Sequence, residues 1–333
     1  MTLARWRSIA LAFALGLALA ALAAEGALRL LGYRPWPREA GSGPPLRHAR
    51  DAQLGWVPEP GRYAVPVAGV ETAVTIWANR TRAVAPEERG DDADVLVLGG
   101  SFSFGQDVGD SDSWAWQLQE RLPDLRALNL AANAYGTYQS LIRLERYLEH
   151  ARRPPRVVVY GFFDHHIARN VASWGWLVNL EQGNPGGAFH VPYATLDAEG
   201  RLRRAPQPGV YPRLPLRTTL AAVPLLERGL AVWSTRDRHG SGQRVTALLL
   251  AALEATSQRA GARLLVAALR WSPGSRTSFT RLLEAAEIPL VDCDDPRLRT
   301  PAWRVGSDGH PNARAHAHWA GCIAPVVEEL AGS

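Results

Sequence analysis

From residue 95 onward the chain alternates short apolar runs with longer amphipathic stretches. Val95–Leu98, Arg126–Leu130, Val157–Gly161, Arg263–Leu269 and Ile288–Val291 have the length and the aliphatic content of buried strands. Helical patterning fills the intervals at Ser113–Arg121, Gln139–His150, Arg244–Arg259 and Ser278–Ala286, with Gly261 as the stop of the third. A closing helix starts near Pro311 or Asn312 and runs toward Leu330, and Pro325 is expected to kink or reset it. Strands alternating with helices predict a three-layer α/β/α domain, flavodoxin-like, on a five-stranded parallel sheet. Residues 173–240 break the rhythm. They are rich in Pro, Gly, Trp and Arg and too long for an ordinary connection, which predicts a cap-like insertion near the C-terminal strand edge.

The N-terminus follows a different pattern. Arg5 and Arg7 precede an unbroken run of apolar and small residues from Ile9 to Ala24, and helical character continues past Glu25 to Leu31. This predicts a membrane helix with its N-terminus in the cytoplasm, either an uncleaved signal-anchor or, if Ala21-Leu22-Ala23 is processed, a signal peptide. Both readings put the body outside the cytoplasm. The expected organisation is residues 1–32 as the targeting helix, 33–90 as a linker and small β-rich lead-in, and 91–333 as the main domain.

Composition changes this picture little. Apolar residues make up 47% of the 333 and charged residues 21%, as in a globular protein with a core. The formal charge is +5, and all 37 basic residues are arginine, as a high-GC coding bias produces. They are scattered rather than gathered in a stripe with interleaved aromatics, so no nucleic-acid partner is expected. Cys293 and Cys322 are an even pair in an exported body. They permit one disulfide, with two buried thiols as the alternative. No metal-ligand spacing and no cofactor motif is present.

The candidate chemistry lies at strand ends, where open α/β sheets bind ligands. The first strand runs into Gly99-Gly100-Ser101-Phe102-Ser103-Phe104-Gly105, the second into Ala131 to Gly136, and the third into Asp164-His165-His166. The loop Asp308-Gly309-His310-Pro311-Asn312 follows the last strand and can return to the same edge. A serine becomes a nucleophile when a histidine takes its proton and an acid orients the histidine.

In order and spacing these segments resemble the SGNH/GDSL hydrolase superfamily, in its exported, membrane-anchored bacterial branch. So do Leu54-Gly55-Trp56, Pro60-Gly61, Asn79, Arg82 and Arg169-Asn170. The resemblance implies Ser101 as nucleophile, His310 as base and Asp308 as acid. It also implies an oxyanion hole from the Ser101 amide, the Ala134 amide (with Gly136 two residues on) and His165 in place of the usual asparagine. His166 and Asp164, in neighbouring registers, and Tyr135 become candidate substrate contacts. Three positions depart from the family: Gly100 replaces an aspartate, Ala134 a glycine and His165 an asparagine. The implied activity is hydrolysis of ester-linked acyl groups on envelope glycans or lipids. An O-acyltransferase with the same triad, and a catalytically weak glycan-binding or assembly protein, are the alternatives.

Overall fold

Five parallel strands form the central sheet: β1 (Val95–Gly99), β2 (Ala127–Asn129), β3 (Val157–Phe163), β4 (Arg263–Arg270) and β5 (Leu290–Asp292). Their order across the sheet is β5-β4-β3-β1-β2. The computed structural model describes residues 3–37, 48–67, 69–88, 90–183, 189–238, 240–306 and 309–332. In chain order the helices are α1 (Leu3–Leu30), α2 (Ser101–Phe104), α3 (Trp114–Arg121), α4 (Thr137–His150), α5 (His165–Asn170), α6 (Trp174–Gly183), α7 (Ala222–Ser234), α8 (Gly242–Arg259), α9 (Pro273–Ala285) and α10 (Ala313–Gly332).

The strands read as continuous apolar runs because both sheet faces are covered. On one face Trp114 and Leu118 of α3, with Trp319 and Ile323 of α10, pack on Val95, Val97, Val157, Val159, Leu265 and Ala267. On the other, α4 packs against α8, burying Leu141, Leu144, Leu249 and Leu253. All five expected strands are present. The fifth begins two residues late because Pro289 has no N–H to give the ladder. Helix α9 begins earlier than expected, at Pro273, because the Ser272 side chain caps it by accepting from the Ser275 amide.

Helix α10 corrects one expectation. It runs through Pro325 as a single helix. Pro325 and Gly321, whose carbonyl loses its partner, both lie on the exposed face, so that carbonyl is open to solvent rather than buried unpaired.

The chain divides into two units. Residues 42–173, 190–209 and 238–333 form the sheet-bearing unit, and residues 1–41, 174–189 and 210–237 form the other. The irregular segment is thus split between them. In the smaller unit α1 is apolar and long enough to cross a membrane over Arg5–Leu30. The Glu25 carboxylate near its end accepts from the Ala221 and Ala222 amides at the start of α7. The buried Glu227 carboxylate binds Arg217 and the Trp36 indole N–H, and the buried Glu181 binds Arg213 and Arg217.

Cys293 and Cys322 are bonded, with Cα atoms 5.9 Å apart. The bond joins the end of β5 to α10 and brackets the segment carrying His310. Closing a loop of 29 residues' separation removes denatured-state entropy worth about 3.6 kcal/mol. Reduction, or Cys322→Ser, is therefore expected to lower unfolding stability by about that much in denaturant titrations. An unchanged midpoint would show that the bond does not constrain the unfolded chain.

Candidate active site

The strand order reverses between β1 and β3, and the crevice at the carboxyl ends of these two strands is the natural ligand site of such a sheet. Ser101 begins α2 directly after β1, and His165 begins α5 directly after β3. Gly105 in the left-handed region (φ 82°) ends α2 after one turn. The loop that follows is held from beneath by Arg82 of the lead-in. Its fully buried guanidinium binds the Asp110 carboxylate and the Val108 carbonyl.

His310 lies on a short antiparallel ribbon that pairs Val305 with His310. Its Nε2 is 3.2 Å from Ser101 Oγ, across 209 residues of sequence. The opposite ring nitrogen, Nδ1, is 3.4 Å from Asp107 Oδ2. Asp107 was not singled out from the sequence. It sits six residues beyond the serine with φ 63°, a left-handed conformation uncommon outside glycine but more accessible to Asp and Asn than to most residues. No sequence pattern announces that conformation. Asp308, the acid expected from the tail motif, lies outside the described residues.

The expected oxyanion donors fare differently. The Ser101 amide, at the first position of α2, has no intrahelical acceptor. Ala134 has φ 68°, so the backbone takes a glycine-like conformation although the residue carries a Cβ. Its amide has no backbone partner among the described residues. Gly136 is engaged elsewhere: its amide donates to Gln139 Oε1 at 3.2 Å, closing the cap of α4. His165 stacks its ring near Phe163, with centroids 5.3 Å apart. Desolvation, then Arg169 and Arg270, push it down to about 4. It is therefore neutral near pH 7 and able to donate one ring N–H.

Two expected substrate contacts, Tyr135 and His166, are corrected. Tyr135 is fully buried, with its hydroxyl donating to the Trp56 carbonyl. His166 is also fully buried, its Nδ1 sharing a hydrogen bond of 2.6 Å with the Tyr160 hydroxyl. Both are core side chains, placed there by the tight approach of α4 and α5. Asp164 Oδ2 accepts from the Ser272 amide at 2.6 Å, which ties it to the start of α9.

The space around Gly100 leaves no room for a side chain. A Cβ there would lie 2.8 Å from each of His166 Nε2, Arg169 Nη1 and the Tyr135 carbonyl oxygen. Arg169 is buried, donates to that carbonyl at 2.8 Å, and lies over the Phe163 ring at 5.0 Å. The room an aspartate side chain would need is occupied by an arginine and a histidine.

No family model matches this chain, and no curated protein does. Solved structures similar to it include TesA, at 17% identity and a TM-score of 0.43, over 71% of this chain and 98% of that one. The psychrotrophic esterase EstA from Pseudoalteromonas sp. is similar at 15% identity and a TM-score of 0.43, over 72% and 98%. A member of the lipolytic protein G-D-S-L family from Veillonella parvula is similar at 9% identity and 0.42, over 70% and 96%. Likenesses this distant pass no residue's role to this chain. The five-stranded parallel sheet, ordered β5-β4-β3-β1-β2, is the flavodoxin-like sheet expected from the sequence.

Two histidines make stability depend on pH. Desolvation holds His166 well below 6.5 and His316 down at about 3, and His316 Nδ1 accepts from the Trp114 amide. The unfolded chain protonates both near 6.5 while the native state does not. The unfolded state then binds more protons, so stability is full above about pH 7.5 and falls as pH drops through 6.5. At about pH 5 the loss is about 2 kcal/mol for His316, and His166 adds to it in the same direction. Melting curves between pH 7.5 and 5 should show this, and His316→Asn should flatten the slope. A pH-independent melting temperature would contradict it.

Proposed function

We propose that this protein is a serine hydrolase acting on ester-linked acyl groups, with its catalytic body held outside the cytoplasm by α1. The observation that carries the reading is the contact between Ser101 Oγ and His310 Nε2. A buried serine at a sheet's switch point, within reach of a histidine from the far end of the chain, is the arrangement nucleophilic acyl transfer requires.

His310 Nε2 takes the Ser101 hydroxyl proton as Oγ attacks the ester carbonyl. The tetrahedral oxyanion is received by the Ser101 and Ala134 amides and by a ring N–H of His165. His310 then protonates the departing alkoxide, leaving an acyl-Ser101. Water, deprotonated by the same histidine, releases the acid and restores the serine. The Asp107 carboxylate fixes the ring through Nδ1–H and stabilises the imidazolium. A left-handed non-glycine residue is kept at a cost of about 1 kcal/mol or more, and such strain clusters at functional sites. The acyl bearers best suited to a membrane-tethered body are envelope glycans and lipids.

Fluorophosphonate labelling and hydrolysis of 4-nitrophenyl acetate by the full-length protein test this. Ser101→Ala and His310→Ala should abolish both; labelling that persists in Ser101→Ala would remove the serine from its role. His165→Ala should lower kcat about a hundredfold with little change in KM, as loss of one oxyanion donor does. Asp107→Asn should lower kcat by at least as much. Asp107→Gly should do the same while leaving stability equal or higher, because glycine relieves the left-handed backbone. A kcat loss found in Asp308→Asn and absent from both Asp107 variants would give the acid's role to Asp308.

A further inference from the structure

Two guanidiniums flank the ribbon and ring that carry and contact His310, and among the described residues no carboxylate bonds either of them. Arg270 is the last residue of β4, paired in the sheet with Phe163 at the end of β3. Its guanidinium lies over the Phe102 ring at 4.8 Å, and that ring stands edge-on to His310 at 6.0 Å. Arg270 is half-buried, yet among the described residues it makes no hydrogen bond and no ion pair. Arg304 comes from the ribbon strand opposite His310 and Pro311. It gives one N–H to the Leu298 carbonyl at 3.1 Å, and no carboxylate pairs with it among the described residues.

The surrounding charges sharpen the imbalance. Arg304 is the charged neighbour that acts most strongly on Arg270, and Arg299 adds to it. Arg299 is neutralised by Asp294. Asp164 and Asp294 attract Arg270 but neither bonds it: Asp164 spends Oδ2 on the Ser272 amide, and Asp294 holds Arg276 and Arg299. Taking a guanidinium partly out of water without a partner is unfavourable, and placing a second cation beside it makes it more so. A planar fork of N–H donors is suited to binding carboxylate or phosphate. An anion received here would satisfy the donors and remove the repulsion together.

We propose that Arg270 and Arg304 form an anion subsite at the rim of the Ser101–His310 centre, so that the ester this protein acts on carries a carboxylate or phosphate close to the acyl group. The inference deepens the hydrolase reading and rests on it for the word ester. The anion site itself does not depend on that reading.

Binding is measured first, in full-length Ser101→Ala protein, which keeps the subsite and lacks the nucleophile. Inorganic phosphate or acetate should raise its melting temperature beyond sodium chloride of equal ionic strength. Adding Arg270→Gln and Arg304→Gln should erase the shift, and whichever anion protects more names the group recognised. Protection that survives the double substitution, or is never seen, overturns the proposal. Kinetics supply the second arm, comparing 4-nitrophenyl acetate with the mono-4-nitrophenyl ester of succinic acid. The active protein should prefer the charged ester in kcat/KM. Each single substitution should cut the charged-to-neutral ratio about tenfold, the size of one lost charge-assisted hydrogen bond. Charge-blind hydrolysis by active protein also overturns it. Should neither ester be cleaved, the hydrolase reading has failed and the binding arm alone decides on the anion site.

Discussion

Gly99 and Gly161 face each other where β1 and β3 end, and the rest of the site depends on neither having a Cβ. A methyl on Gly99 would stand 2.4 Å from Ser103 Oγ, and one on Gly161 would stand 2.1 Å from the same atom. Ser103 is wedged into that gap. Because it fits, the chain turns into α2 immediately after the strand, and Ser101 emerges at the switch point with its amide unspent. The Asn129 side chain donates to the Ser103 carbonyl at 2.9 Å and secures the turn from β2. The placement of Ser101 is thus a packing result of three strand ends.

Gly100, Ala134 and His165 are related by space. Gly100 is small because Arg169 and His166 fill the volume beside it. Both residues belong to α5, so the segment that begins with His165 also fills the space beside Gly100. Ala134 holds a left-handed backbone, at a modest energetic cost, and the Tyr135 carbonyl next to it receives Arg169. The site is rebuilt around a buried cation, and the cationic rim at Arg270 and Arg304 continues that character outward.

The strands and helices were legible because each carries its own periodicity and its own caps, and Ser101 and His310 because a glycine turn after an apolar run and a tail histidine are local patterns. What sequence could not convey was direction. Tyr135 and His166 sit beside reactive positions in the chain, yet their side chains turn into the core, where Trp56 and Tyr160 satisfy them. Gly136 reads as a free amide until Gln139 is seen to cap it. Asp107 was invisible for the opposite reason: nothing local marks it, and only folding brings it to the far nitrogen of His310. Helix α10 crosses Pro325 because that face is open to water, a fact about burial and not about the residue.

The central claim is that Ser101 carries the acyl group during turnover. Acid quenching of full-length protein within the first turnovers of an activated ester, followed by peptide mass spectrometry, tests it most directly. The account predicts the mass of one acyl group on the peptide containing Ser101, appearing before product release reaches its steady rate. An unmodified Ser101 peptide during measurable turnover, or an acyl group found on another residue, would contradict it.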